Sequence, residues 1–354
     1  MEKQLVKGSE GIAEAAVRAG CRFFSGYPIT PQNEVLEYFS RRLPEVGGVF
    51  IQAESEISAI NMVYGASGAG FRAMTSSSSP GFSLKQEGLS YMAGAELPCV
   101  VANIMRAGPG LGGIQPGQAD YFQATKGGGH GDYHVMVYAP STVQESIDLT
   151  YQAFNKADEY RTPVLILADG MLAQMMEPAT FPEMMTSLPK KSWATVGWTD
   201  KSRPRAVINS LFVQVDVLEA LNNRLQEKYA LMQARECLYE SDIPDGAEIL
   251  VVSYGSVARI VQSAIEQVSQ NGLKVGTFRP ISLYPFPYKQ LEEEAAKVKA
   301  VVVVEMSAGQ MVEDVRLALG KNKSIHFYGR TGGQVPTKED LCRELAAVSP
   351  GVRG

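Results

Sequence analysis

The chain has 354 residues, 45% of them hydrophobic and 20% charged, with a formal net charge of −5; that length favours two folded units and that composition a globular protein. The negative balance excludes a general nucleic-acid surface, which needs a basic face. No run reaches the roughly 18 apolar residues of a membrane span, and the opening MEKQLVKGSEG has no apolar leader core, so a cytoplasmic protein is expected.

In chain order, residues 9–19 are expected to form a helix, followed by a strand around Cys21–Ser25. Val35, Leu36, Phe39 and Leu43 recur at helical spacing, Val49–Gln52 has the composition of a strand, and Ile57, Ile60, Val63 and Tyr64 mark the next helix. Arg72–Thr75, Cys99–Met105, Val135–Tyr138 and Val164–Ala168 are short apolar runs bounded by Gly, Pro or Ser. Buried strands separated by helices imply a parallel α/β sheet covered on both faces. Pro140-Ser141-Thr142 opens a helix over 140–158, and residues 173–205, rich in Met, Pro, Lys and Ser, are expected to wrap between domains. A long amphipathic helix over 209–235 is predicted, with Val217, Leu218, Leu221, Leu225 and Leu231 on its apolar side. The last hundred residues give a second α/β unit, with strands Ile249–Ser253, Val275–Phe278, Val301–Glu305 and Ile325–Tyr328 and helices over 256–270 and 310–319.

Cys21, Cys99, Cys237 and Cys342 are scattered, with no Cys-x-x-Cys. Zinc ribbons and iron–sulfur loops are therefore excluded within the chain, and buried free thiols are expected. Gly108-Pro-Gly110-Leu-Gly112-Gly113 satisfies G-x-G-x-x-G, but Ile114-Gln-Pro116-Gly117 cannot open a helix from that turn. A flexible active-site loop is expected there, not a dinucleotide fingerprint. His130 and His134 have the spacing of a zinc-binding pair, yet Gly127, Gly128, Gly129 and Gly131 oppose a helix. No metal site is expected; His130 is assigned to a polar loop lining a pocket and His134 to structure.

Three features suggest chemistry. Gly26-Tyr-Pro28-Ile-Thr30-Pro31 follows the first strand, where ligand loops of open α/β sheets lie, and its prolines stiffen the turn that aims Thr30. Glu54-Ser-Glu56 follows the second strand, and Arg106 ends the run from Cys99. The three side chains could converge on one crevice. Equally, Glu56 could simply favour a helix N-terminus, and Arg106 could form a salt bridge.

These segments resemble the α subunit of 2-oxoacid:ferredoxin oxidoreductases. The resemblance is carried by Gly26–Pro31, Gln52-Ala-Glu-Ser-Glu56-Ile-Ser-Ala59, Thr75-Ser-Ser-Ser-Ser-Pro-Gly-Phe82 and Met105-Arg106-Ala-Gly-Pro109. It extends through Gln118-Ala-Asp-Tyr-Phe-Gln-Ala-Thr-Lys-Gly-Gly-Gly-His-Gly-Asp-Tyr133 and Val304-Glu305-Met-Ser-Ala-Gly309-Gln310-Met. The 2-oxoisovalerate, or branched-chain, type is the best match, with the 2-oxoglutarate type next. The resemblance implies a pyrimidine-type thiamine-diphosphate domain over 1–190, a linker and long helix over 191–240, and a transketolase-C-terminal-like α/β domain over 241–354.

It further implies that Glu56, not Glu54, hydrogen-bonds the cofactor's pyrimidine N1′ as the catalytic and cofactor-binding carboxylate. Thr30 and Arg106 would bind the substrate's carbonyl and carboxylate, and the loop bearing Ser79, Pro80, Gly81 and Phe82 would border the pyrimidine. The reaction implied is oxidative decarboxylation of a 2-oxoacid, with coenzyme A taking the acyl group and ferredoxin the electrons. The family's diphosphate clamp, a Gly-Asp-Gly followed by Asn, is missing, since Asp169-Gly170 is preceded by Ala168. Diphosphate, Mg2+ and iron–sulfur clusters are thus expected on β (diphosphate-binding) and ferredoxin-like δ subunits. The absence of the N-terminal region carried by longer relatives implies a separate γ subunit. A non-redox, transketolase-like enzyme half and a non-catalytic scaffold subunit are the alternatives.

Overall fold

A computed structural model describes residues 3–199, 201–202 and 204–352. Its larger sheet has seven strands in the order Ser282–Tyr284, Met136–Tyr138, Pro163–Asp169, Cys99–Met105, Ala73–Ser77, Phe23–Gly26 and Val49–Gln52. Every pairing is parallel except that of Ser282–Tyr284 with Met136–Tyr138. The central strands Cys99–Met105 and Pro163–Asp169 are buried at every position, as continuous apolar runs covered on both faces should be. The helix Gly8–Arg18 packs on Asn33–Glu45 and Val143–Tyr160, while Glu56–Gly68 packs on Gln86–Gly94. Thr142 caps Val143–Tyr160 by accepting from the Glu145 amide at 3.1 Å, so the helix starts where the Pro-Ser-Thr triplet places it.

Because Cys99–Met105, Ala73–Ser77, Phe23–Gly26 and Val49–Gln52 are adjacent and parallel, their C-terminal ends lie along one edge. The segments leaving that edge carry Arg106, Ser79–Phe82, Thr30 and Glu56. This is the position that open parallel sheets give to ligand sites.

The second sheet runs Ser324–Gly329, Ala300–Glu305, Ile249–Val252, Val275–Pro280 and Tyr239–Asp242, with only the last strand antiparallel. Beyond Arg235, sequence patterning misses two short strands, Tyr239–Asp242 and Ser282–Tyr284, and two helices, Tyr288–Ala295 and Lys338–Val352. Ser282–Tyr284 crosses from the C-terminal half to complete the first sheet. The segment after Ala173 is less irregular than its composition implies, since Met176–Ala179 pairs antiparallel with Gln4–Lys7. The predicted helix over 209–235 begins only at Val215, and its buried stripe is Leu221, Leu225, Tyr229 and Met232. Val217, Leu218 and Leu231, assigned to the apolar side, are exposed. Cys21 and Cys99 are buried free thiols, whereas Cys237 and Cys342 are only half-buried.

The two sheets meet on a polar seam. Asp314, fully enclosed, accepts the Tyr121 hydroxyl at 2.6 Å, the Tyr288 hydroxyl at 2.5 Å and the Lys126 ammonium. Gln118 is held from the second unit through both ends of its side-chain amide: Met306 N donates to Oε1 at 2.9 Å, and Nε2 donates to the Tyr254 carbonyl at 2.9 Å. Glu305, wholly buried, accepts the amides of Gln310, Met311 and Val312 at the start of the helix Met311–Leu319. Asp314→Ala should lower stability by about 3 kcal/mol, because it strands the Tyr121 hydroxyl in the interior. A shift of the urea unfolding midpoint checks this, and Leu317→Ala, on the exposed face of the same helix, should leave the midpoint nearly unchanged.

Candidate active site

Ser55 caps the helix Glu56–Gly68, its hydroxyl accepting from the Ser58 amide at 3.2 Å. The buried face of that helix is Glu56, Ala59, Ile60, Val63 and Ser67. Ile57, one of the apolar residues that mark this helix, is exposed. This phase separates the two carboxylates: Glu54 faces solvent and takes a hydrogen bond from Ser58, while Glu56 is 6% exposed. Among the described residues no donor reaches the Glu56 carboxylate. Gly81 lies directly against it: a Cβ built there would sit 2.3 Å from Glu56 Oε1 and 2.4 Å from Ser77 Oγ. Ser77 Oγ is itself buried without a partner. A donor-free carboxylate beside an orphan hydroxyl suits a hydrogen-bonding ring such as an aminopyrimidine, and the bare Cα of Gly81 lets the turn close directly on that carboxylate.

The expected Ser79–Phe82 loop is in fact a short helical turn, Ser79–Ser83, with Pro80 in its first turn and Phe82 buried. It is braced from the neighbouring strand. The Ser79 amide donates to Asn103 Oδ1 at 3.0 Å, and Asn103 Nδ2 donates to Asp120 Oδ2 at 2.9 Å. The Ser79 hydroxyl donates to the same Asp120 oxygen at 2.6 Å and accepts from the Arg106 amide at 3.0 Å. Burial holds the Asp120 carboxyl above its usual range, with the Ser79 and Asn103 hydrogen bonds pulling it back down.

Arg106 is 7% exposed and forms no salt bridge among the described residues. Its guanidinium donates to the Thr30 carbonyl at 2.9 Å and the Leu111 carbonyl at 2.8 Å, and its Nε is buried without a partner. A buried cation held only by carbonyls keeps an uncompensated charge, which suits a carboxylate ligand. The Gly108–Gly113 segment wraps this guanidinium and opens no helix. Gly112 has φ +62°, and a Cβ there would strike the Ala107 carbonyl. Thr30 is exposed and lines a cleft of about 660 Å³ with Pro31, Asn33, Gln115, Met171 and Gln174. Glu56, the Ser79–Phe82 turn, Arg106 and Thr30 thus form one contiguous edge.

His130 does not join them. It is exposed, with its ring edge-on to Tyr91 at 5.7 Å and its carbonyl accepting from Ser90. The glycines around it leave the segment free to lie outside the helix Gln86–Gly94. His134 stacks on Tyr284 at 4.3 Å, the structural role expected.

Lys85, missed in the sequence, has no exposed surface. Its Nζ donates to the Glu56 carbonyl at 3.2 Å and to Thr75 Oγ1 at 3.1 Å. Burial pushes its pKa down to about 7, with the Glu56 carboxylate pulling it partly back up. Asn103 and Gln32 were also missed; Gln32 accepts from Ser76 Oγ at 2.5 Å and donates to the Tyr27 carbonyl at 3.1 Å. Asp120 alone carried a signal, through its place in the Gln118-Ala-Asp120 motif.

A lysine pKa lowered by folding means that the unfolded chain holds more protons between about pH 7 and 10.5. Stability therefore rises with pH across that window. Lys85→Met should stabilise the chain most below pH 7, and the gain should shrink steadily by pH 9. Urea unfolding of both proteins at the two pH values measures it.

Residues 14–214 match the family described as pyruvate flavodoxin/ferredoxin oxidoreductase, thiamine-diphosphate-binding, and residues 247–341 match pyruvate:ferredoxin oxidoreductase core domain II. A ketoisovalerate oxidoreductase subunit VorB of Methanothermobacter marburgensis is 48% identical over 99% of both chains. A 2-oxoglutarate synthase subunit KorA of Methanocaldococcus jannaschii is 36% identical, over 98% of this chain and 100% of its own. A solved 2-oxoglutarate:ferredoxin oxidoreductase from Magnetococcus marinus, with 2-oxoglutarate, coenzyme A and succinyl-CoA bound, superposes with TM-score 0.89 at 28% identity. It covers 99% of this chain, which spans 65% of that solved chain. A split-gene transketolase at 14% identity and TM-score 0.59 shares the fold over 97% of each chain. With one family match over more than half its length and full-length relatives well above 30% identity, the chain belongs to the 2-oxoacid:ferredoxin oxidoreductases.

Proposed function

We propose that this chain is the α subunit of a heteromeric, coenzyme A-dependent 2-oxoacid:ferredoxin oxidoreductase, acting on a branched-chain 2-oxoacid of the 2-oxoisovalerate type. The observation that carries the catalytic part is the buried, donor-free Glu56 carboxylate packed on Gly81. The substrate rests on the higher full-length identity to the ketoisovalerate subunits, 48% against 36% for a 2-oxoglutarate subunit.

Thiamine diphosphate, when bound, supplies the carbon nucleophile and electron sink that decarboxylation of a 2-oxoacid requires. In this reading Glu56 takes and returns the proton at pyrimidine N1′, as a general acid–base group kept from competing donors. The Ser79–Phe82 turn borders the ring. Arg106 faces the substrate carboxylate and Thr30 the carbonyl region. The Gly108–Gly113 segment helps fix the guanidinium through the Leu111 carbonyl. Residues 1–190 and 241–354, joined by 191–240, are proposed as the pyrimidine-side and C-terminal domains.

The sequence has neither Gly-Asp-Gly nor a cysteine cluster. Among the described residues no three His, Cys, Asp or Glu side chains converge as a metal site would require. Diphosphate and Mg2+ are therefore assigned to a β subunit, iron–sulfur clusters to partners including a ferredoxin-like δ, and further assembly to a γ subunit. No helix of the described residues is long and apolar enough to cross a membrane, which accords with a cytoplasmic assembly.

Glu56→Gln in the assembled complex should reduce turnover at least about a hundredfold, the low end for acid–base catalysis. Near-normal turnover would remove the catalytic reading and leave a scaffold subunit. The same preparation assayed with 2-oxoisovalerate, 2-oxoglutarate and pyruvate should favour 2-oxoisovalerate. A preference for 2-oxoglutarate would reassign the substrate, and a complex without iron–sulfur absorbance would point to the non-redox, transketolase-like alternative.

A further inference from the structure

Lys85 lies in a poor place for a cation. It has no exposed surface, and it is the N-cap of the helix Gln86–Gly94, whose dipole repels positive charge. The two groups it donates to, the Glu56 carbonyl and Thr75 Oγ1, are neutral, and no carboxylate lies within salt-bridge distance among the described residues. Neutral donors would serve those two acceptors without the desolvation of an ammonium. The elements around it leave one charge facing it. The helix Glu56–Gly68 offers the Glu56 carboxylate, the strand Ala73–Ser77 offers only hydroxyls, and on its own helix Glu87 turns outward to Tyr91.

We propose that Lys85 is a positioning residue for Glu56: it pins the first turn of the Glu56 helix through the Glu56 carbonyl, and its ammonium keeps the buried carboxylate ready to receive the pyrimidine proton. The proposal rests on the reading of Glu56 as the thiamine-facing group. A cation that is unfavourable to folding is retained because the site needs its field, a pattern typical of functional positions. The ammonium is buried on the main-chain carbonyl of the residue whose buried carboxylate it faces, so its charge is poorly screened.

A double-mutant cycle in the assembled complex tests it, with thiamine diphosphate and Mg2+ titrated into the parent, Lys85→Met, Glu56→Gln and the double variant. Lys85→Met alone should weaken cofactor affinity by roughly tenfold, and in the Glu56→Gln background it should change affinity by less than about twofold. A merely structural lysine would lose the same two hydrogen bonds in both backgrounds, so equal weakening in the two would overturn the proposal. So would no weakening at all. If Glu56→Gln by itself leaves affinity unchanged, the reading of Glu56 fails and the proposal fails with it. Where Lys85→Met does not assemble, Lys85→Gln, which keeps a donor in reach, takes its place with the same expected outcomes.

Discussion

A carboxylate taken into the interior at the first turn of a helix, and given no donor by its own chain, is the constraint on which this site is built. Burying a charge without a hydrogen-bonding partner is strongly unfavourable, and the surroundings of Glu56 reduce that penalty only partly. The helix dipole at its N-terminus favours a negative charge, and the Lys85 ammonium adds a field from behind. Neither gives the carboxylate a direct partner. What remains is an acceptor held ready, with Gly81 packed directly against it. The rest of the edge follows from this arrangement. The turn carrying Gly81 must stay close to Glu56, and Asn103 and Asp120 brace it through Ser79. The same Ser79 hydroxyl receives the Arg106 amide, so the acid–base and carboxylate-binding ends of the crevice share one set of hydrogen bonds.

The second unit supports this edge, and its Val335 lines the Thr30 cleft. Gln118 lies two residues before Asp120 and is fixed by Tyr254 and Met306. Asp169 closes a neighbouring point by accepting the Ser256 hydroxyl at 2.5 Å. The loop that presents Asp120 is thus anchored in both sheets. A disturbance of the C-terminal half has a short physical path to the Ser79–Arg106 hydrogen bonds, through groups that are buried and directional. The chain's membership in its family and its proposed chemistry therefore rest on the whole polypeptide, and the C-terminal unit is part of how the site is held.

Much of the fold was legible because continuous apolar runs bounded by Gly and Pro mark buried parallel strands, as Cys99–Met105 and Pro163–Asp169 show. Shorter elements escaped. Ser282–Tyr284 has three residues and pairs antiparallel with a strand far away in sequence, so no local period reveals it. The long helix starts later than predicted because Leu211 and Val213, exposed and two apart, do not extend its apolar stripe. Ile57 marks a helix that is apolar nearly all round, and phase alone does not say which side turns inward. That phase puts Glu56 inside and Glu54 outside, a choice that only resemblance had made. Lys85 left no trace because the partners of a buried lysine are main-chain and hydroxyl groups, which carry no sequence pattern. The loop of His130 is glycine-rich, and such a sequence carries no information on which way it folds.

The account's central claim is that this chain holds half of a cofactor site, and cofactor binding to the separated and assembled proteins tests that most directly. Titrating thiamine diphosphate and Mg2+ into the purified chain alone should give no saturable binding. The same titration into the chain assembled with its diphosphate-binding partner should saturate at one cofactor per pair. Stoichiometric, Mg2+-dependent binding to the isolated chain would contradict the account, because a complete diphosphate clamp would then have to lie within these 354 residues.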